Sequence, residues 1–294
     1  MEQLTSSPDH RVMSNDTPTV LILGGTGRTG SLLAGKLARR GITARTAARR
    51  GADVRFDWDD PVTPAEALAG VDRLYLVTPV LRVRYAEQVA GFLDLAEAAG
   101  VRHVTFLSTY NADQAPAGID IAAVEADLAA RQSLTHSVLR PAWVMQNFSD
   151  DHLPVIDGAI SVPSGGGAEA FVDADDIAAV AAQTLLDPGA HAGVRYTLTG
   201  PQALTFGEAA GIIAAVAGRP VFYNDIDQEA WIGGAVAAGV PADYAVMLRW
   251  LTGAIISGHG SVPGDDVEKV TGRQPATFRE FAERNAGALA VEGK

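Results

Sequence analysis

Thr19-Val20-Leu21-Ile22-Leu23-Gly24-Gly25-Thr26-Gly27-Arg28-Thr29-Gly30 is the stretch that decides the fold. Val20 to Leu23 form an apolar run of strand type that ends in glycines at 24, 27 and 30, and an amphipathic segment from Ser31 to Arg40 follows. In that segment Leu32, Leu33 and Leu37, with Ala34 or Ala38, recur at helical spacing. A phosphate approaches backbone N–H groups closely only where no Cβ intrudes. The first turn of a helix adds unpaired N–H groups and a partial positive charge. The spacing is G-x-x-G-x-x-G rather than the familiar G-x-G-x-x-G, so the strand before it and the helix after it carry much of the inference. Together they read as a dinucleotide phosphate cradle built on Gly24, Gly27 and Gly30. Arg28 and Thr29, inside the loop, are either phosphate contacts or solvated loop residues.

Outward from the cradle, strand candidates at 19–24, 43–48, 53–57, 73–78, 102–108 and 134–139 alternate with helical segments near 28–40, 64–69, 82–99 and 118–131. That alternation predicts a doubly wound α/β parallel sheet of Rossmann type, with the second and third strands joined without a full helix. Ligands of such sheets sit at the carboxyl ends of the strands, near the switch in strand order. Beyond Arg140 the regularity fades into Pro141, Pro154, Pro163 and Ser164-Gly165-Gly166-Gly167. A strand at 194–199, a turn at Gly200-Pro201, a helix at 206–217, a strand at 220–226 and helices after 228 then predict a smaller α+β cap over the sheet edge. The expected organisation is a disordered extension over 1–16, a dinucleotide-binding Rossmann domain over 17–150, and a substrate-capping region over 151–294 that partly returns to the sheet.

Composition narrows the function classes. At 294 residues and 47% hydrophobic, the chain has the size and make-up of a packed globular protein with one principal core. The longest alanine-rich stretch, Trp231 to Leu251, is interrupted by Pro241, Asp243 and Arg249, so a membrane span is not expected. A net charge of -12, without a basic face interleaved with aromatics, disfavours nucleic acid. With no cysteine, disulfides, thiolate nucleophiles and Cys-based metal sites are excluded. Met1 to Asp16 is polar and lacks an apolar h-region, which together with the cysteine count suggests the cytoplasm. The histidines show no metal-ligand spacing, Asp150-Asp151-His152 reads as a polar loop, and no G-x-S-x-G elbow is present. No metal is expected, and the oligomeric state is left open.

The choice of dinucleotide turns on the second strand. Folds that prefer NAD place an acidic residue near its end for the ribose 2′-OH, whereas a 2′-phosphate calls for a cation. Here the strand ends in Arg49-Arg50, and Asp53 belongs to the next strand candidate. NADP(H) is therefore favoured, with Arg49 as the fork for the 2′-phosphate and a solvated turn charge as the alternative. Asp57 and Trp58 close the third strand candidate, where they either receive adenine or serve as a turn residue and a core aromatic. Val77-Thr78-Pro79 closes the fourth, where the chain would pass the ribose and pyrophosphate.

Further motifs recur along the chain: Leu139-Arg140-Pro141 followed by Asn147, Phe171-Val172-Asp173-Ala174-Asp175-Asp176-Ile177-Ala178, and Tyr196-Thr197-Leu198-Thr199-Gly200-Pro201 with Ala203-Leu204-Thr205. Thr271-Gly272-Arg273-Gln274-Pro275 and Phe278 to Phe281 close the series. With the glycine loop, Arg49 and Val77-Thr78-Pro79, and in this order, they resemble the NmrA-like atypical short-chain dehydrogenases of the NAD(P)-binding Rossmann superfamily, over nearly the whole chain. The resemblance implies NADP(H) binding and either reduction of quinones, imines, dyes or activated alkenes, or redox sensing without turnover. By it the matched glycines, Thr26, Arg49, Thr78 and Pro79 take cofactor roles. Asp175 and Asp176, ahead of an apolar run, read as ordinary helix-cap carboxylates.

The catalytic machinery is less conventional. Classical members of the superfamily hold a tyrosine four residues before a lysine; the lysines here are Lys36, Lys269 and Lys294, and none follows a tyrosine at that spacing. Where relatives carry K-x-x-x-E, the position before Glu125 is Ile121. Ser108-Thr109-Tyr110 follows the fifth strand, which makes Tyr110 the candidate proton donor, or else an amphipathic wall of the pocket, and Ser108 a candidate hydrogen-bonder to a carbonyl, or else a strand-end hydroxyl satisfying backbone. Trp143, Gln146 and Asn147 are candidates to line the substrate cavity, with packing as the alternative for each. The expected activity is NADPH-dependent hydride transfer to a small, fairly apolar conjugated acceptor: a quinone, iminium, or activated alkene or carbonyl. The alternative is a non-catalytic NADP(H)-sensing regulator.

Overall fold

The computed structural model describes residues 18–150, 153 and 155–289. The extension expected over 1–16 lies outside the described residues, as do Asp151, His152 and Pro154. β1 (Val20–Leu23) is buried along its whole length, as befits a strand covered on both faces. Its side chains alternate between two cores. Leu21 and Leu23 join Leu74, Leu76 and Phe92, while Val20 and Ile22 join Leu33, Leu37 and Ile177. After the glycine turn come α1 (Arg28–Ala38), β2 (Ala44–Ala48), β3 (Val54–Arg55), α2 (Thr63–Leu68), β4 (Arg73–Leu76), α3 (Ala86–Ala98), β5 (His103–Leu107), α4 (Ile121–Ala130) and β6 (Thr135–Pro141). β3 is shorter than its apolar pattern suggests. Asp53 turns back on β2 instead, its Oδ2 accepting from the Thr46 backbone N–H at 2.8 Å and the Thr46 hydroxyl at 2.7 Å.

Beyond β6 follow β7 (Ala159–Ser161), β8 (Ala168–Glu169), α5 (Ala174–Leu186), α6 (Pro188–His191), β9 (Arg195–Leu198), β10 (Leu204–Thr205), α7 (Phe206–Ala217), β11 (Phe222–Asn224), α8 (Gln228–Ala237), α9 (Ala245–Ile256), α10 (Asp266–Thr271), α11 (Phe278–Arg284) and α12 (Ala286–Leu289). The central sheet runs β3-β2-β1-β4-β5-β6-β9, with every pair parallel. Strand order reverses between β1 and β4, which opens a crevice at the carboxyl ends of the strands.

The strand expected at 194–199 to help form a cap is the seventh strand of this sheet, with Leu139 opposite Tyr196 and Pro141 opposite Leu198. β7, α7, β11, α11 and α12 gather a third core of edge-on aromatics: Phe148 meets Phe278 at 5.1 Å, and Phe171 meets Phe206 at 5.2 Å. Short ladders of β8 with β10 and β7 with β11 hold it together. The cap of α5 is Asp173, not Asp175 or Asp176. A capping side chain precedes the first helical residue, and Asp173 accepts from the Asp175 backbone N–H at 2.9 Å. Asp175 instead pairs with Lys36 on α1 at 2.7 Å, and Asp176 with Arg273 at 2.8 Å. Among the described residues no helix is long and apolar enough to cross a membrane.

Candidate functional site

The glycine turn is dictated by backbone proximity. Gly24 adopts the left-handed region at φ +66°. A Cβ on Gly30 would lie 2.2 Å from the Gly24 carbonyl oxygen, and one on Gly25 would lie 2.5 Å from the Thr46 Cβ. The turn delivers the chain to an open helix end: α1 has Gly27 as N-cap, no side-chain cap and no acid in its first turn. α5, α7, α8 and α11 are each capped by an Asp or Thr side chain, whereas α2, α3, α4, α9 and α10, like α1, have no side-chain cap. The open end of α1 borders a cavity of about 1130 Å³. An anion at that end would satisfy the helix.

Gly24, Thr26, Gly27, Arg49, Asp57, Trp58, Val77, Thr78 and Pro79 all line this first cavity. Arg49 and Arg50 lie at its rim with Arg55 and Arg82. The latter two are engaged, Arg55 by Asp60 at 2.6 Å and Arg82 by Asp59 at 2.5 Å. Neither Arg49 nor Arg50 forms an ion pair with a described residue. Trp58 serves in two ways, lining the cavity while its ring packs edge-on against Phe56 at 5.0 Å and Phe92 at 5.3 Å. Arg28, Thr29 and Gly30 stand apart from the other cofactor candidates. Gly30, in α1, packs against the turn at Gly24 and Gly25. Arg28 reaches across to Asn147 Oδ1 at 2.8 Å and Asp150 at 2.5 Å. Thr29 accepts from the buried Tyr75 hydroxyl at 3.1 Å and faces the second cavity.

That second cavity, of about 1380 Å³, has mainly apolar walls and includes Ser108, Tyr110, Trp143 and Asn147. The two cavities share Val80 and Leu81 in their walls. Leu81 sits there at φ +56°, a conformation that a leucine holds only at a cost in backbone strain. The Tyr110 backbone N–H donates to Pro141 at 2.9 Å, which fixes the chain where β5 and β6 end; its hydroxyl has no partner among the described residues. Ser108 donates its hydroxyl hydrogen to Glu125 Oε1 at 2.5 Å. It therefore offers a cavity ligand lone pairs and not the donated hydrogen bond expected of it. Gln146 lines neither cavity. Its amide donates to Asp173 at 2.8 Å and accepts from the Ala174 backbone N–H at 2.9 Å.

Behind Ser108 lies a polar knot that motif reading did not assemble. Glu125, only 3% exposed, is gripped by Arg140 at 3.0 and 2.6 Å, and the Arg195 guanidinium lies 3.4 Å away. The hydrogen bonds that Arg140 donates to Glu125 raise its pKa, against burial, which acts in the opposite sense. A second buried acid, Glu169, belongs to the wall of the larger cavity. Its carboxyl pKa is raised by burial against the hydrogen bonds of Ser261. The sign in the sequence is one acid within the otherwise apolar run Ala168 to Val172. Among the described residues no group of three or more His, Asp or Glu is placed to hold a metal.

The NmrA-like family model matches residues 16–249. The chain belongs to the NmrA-like family. Two relatives show the range of this NmrA-like chain's kin. YesF of Bacillus subtilis, an uncharacterised oxidoreductase, is 37% identical over 91% of the chain and 95% of the relative. The NAD(P)H azoreductase of Xenophilus azovorans is 32% identical over 92% of the chain and 99% of the relative. Among solved structures, the quinone oxidoreductase QOR2 of Escherichia coli complexed with NADPH superposes with a TM-score of 0.71 at 24% identity, covering 90% of this chain and 99% of that one. At that identity the likeness is one of fold.

Proposed function

We propose that this NmrA-like chain is an NADPH-dependent reductase that delivers hydride to a small, conjugated, largely apolar acceptor such as a quinone, an iminium, or an activated alkene or carbonyl. The observation that carries the reading is the pair of cavities meeting at Val80 and Leu81, one bordered by the uncapped end of α1 and the other mainly apolar. The oxidoreductase relatives support it. The amino end of α1 and the turn at Gly24 and Gly27 would hold the pyrophosphate, Arg49 the 2′-phosphate, Asp57 and Trp58 the adenine, and Thr26, Thr78 and Pro79 the intervening ribose. When bound, NADPH supplies a hydride. Tyr110 has a hydroxyl hydrogen to give to an acceptor oxygen, whereas Ser108, committed to Glu125, accepts. The apolar wall excludes water, so orientation and desolvation contribute much of the rate.

The test is NADPH consumption against a panel of quinones, iminium ions and enones, with NADH alongside. Arg49→Glu should weaken NADPH binding by roughly tenfold or more, the factor carried by about 1.4 kcal/mol, and leave NADH binding little changed. Equal losses for both cofactors would remove the 2′-phosphate role. Tyr110→Phe should lower turnover of carbonyl acceptors while sparing iminium ions, which need no proton. Tight NADPH binding without turnover of any acceptor would turn the reading to a cofactor-sensing regulator.

A further inference from the structure

The larger cavity has an unusual charge. Glu169, on β8, is 3% exposed and lies in its wall. Both contacts from Ser261, one from its backbone N–H at 3.1 Å and one from its hydroxyl, go to Oε2. Among the described residues no donor reaches Oε1. The cavity's arginine, Arg249, is already neutralised: its Nε and one terminal nitrogen each meet Glu229 at 2.6 Å. A carboxylate with a spare oxygen therefore faces an apolar space that holds no uncommitted guanidinium or ammonium among its described lining residues.

A second observation points the same way. Three of the chain's four tryptophans, Trp143, Trp231 and Trp250, line this cavity together with Tyr110 and Tyr244. Aromatic faces carry negative quadrupole charge and attract cations, most strongly when both partners are out of water. A buried carboxylate without a cation is costly, and a cationic ligand removes that cost. The net charge of -12 adds a long-range attraction for cations.

We propose that the cavity takes a flat, delocalised organic cation, with the Glu169 carboxylate as its counter-charge and the tryptophan and tyrosine faces as its cage. The inference rests on the reading of this cavity as the acceptor site, and within that reading it selects the iminium class. It also accounts for the spare acid machinery. Hydride addition at an iminium carbon moves the C=N electron pair onto nitrogen, giving a neutral amine and oxidised cofactor, and no proton is consumed. Ser108, its hydrogen committed to Glu125, and the missing tyrosine–lysine pair are then no handicap.

The test measures binding and not turnover. With NADP⁺ present, which has no hydride to give, the protein is titrated with N-methylquinolinium and with 2-methylquinoline, a neutral molecule of nearly the same size and shape at alkaline pH. Tryptophan fluorescence reports occupancy. The wild type should bind the cation at least roughly tenfold more tightly. Glu169→Gln, which keeps a carbonyl for the Ser261 N–H, should abolish that preference with little effect on the neutral compound. Equal binding of the two compounds by the wild type overturns the proposal without any variant, and a preference undiminished in a folded Glu169→Gln protein also overturns it. A preferred cation, with no acceptor of the quinone, iminium and enone panel reduced by NADPH, leaves the inference standing and removes the reductase reading; reduction without cation preference does the reverse.

Discussion

Glu125 shows how a single side chain can organise a site from behind. It collects Ser108 from the end of β5 and Arg140 from β6, joining strand ends that both border the larger cavity's wall. Replacing Glu125 by Ala strands a mostly buried guanidinium, so a stability loss of about 3 kcal/mol is expected in urea unfolding. Asp113 also touches Arg140, at 2.6 Å, but is 61% exposed. Asp113→Ala should cost less than about 1 kcal/mol. Similar losses for the two variants would show that burial does not set the value of this pair. The glycine turn was legible because its constraint is local, one carbonyl against a Cβ a few residues on. Ser108 and Glu125 stand 17 residues apart, and Glu125 and Arg140 stand 15 apart. No spacing rule relates them until β5, α4 and β6 have packed, so neither sequence reading of Ser108, carbonyl hydrogen-bonder or backbone-satisfied hydroxyl, names Glu125 as its partner.

At the scale of elements, α1 is distinguished by where its uncapped end lies, on the border of the smaller cavity. An N-cap without a side-chain acceptor leaves the amino end of a helix available to an external anion. Gly27 has φ -83°, which any residue tolerates, although a Cβ there would sit 3.1 Å from the Gly24 carbonyl oxygen. Gly27→Asp should therefore leave the fold largely intact while supplying an internal anion. NADPH affinity is expected to fall roughly tenfold or more, with the melting temperature of the cofactor-free protein little changed. Undiminished affinity, measured by calorimetry, would mean that the phosphates bind elsewhere. Most elements followed from their periodicity. The sequence predicts a carboxyl-terminal region that partly returns to the sheet, but not that β9 is the strand that does so, because its partner, β6, lies far back in the chain. Gln146 read as a cavity residue because its neighbours Trp143 and Asn147 are; only the position of α5 shows its amide occupied at Asp173 and Ala174.

For the molecule as a whole, acid sensitivity should arise within the sheet. His103 is 1% exposed beside Thr135, and burial, reinforced by the nearby Arg73, lowers its pKa from 6.5 to about 4. Above the higher value both folded and unfolded states carry neutral imidazole, and stability is unaffected. Between the two values the unfolded chain takes up the proton first, so stability falls as pH drops and levels off below about 4. The whole effect is of order 3 kcal/mol. Glu169 and Asp176, both raised by burial, act in the opposite sense on acidification. His103→Gln isolates the histidine: urea unfolding across this range should show a flatter decline than in the wild type, and an unchanged slope would assign the acid sensitivity elsewhere.

The contact of Arg28 with Asn147 has a thermodynamic consequence. This guanidinium opens α1 directly after the glycine turn, yet it holds a residue in the wall of the neighbouring cavity. To whatever extent filling one compartment alters that grip, the two ligands become linked, and each changes the other's dissociation constant by the same factor. The first ligand bound then sets the affinity met by the second.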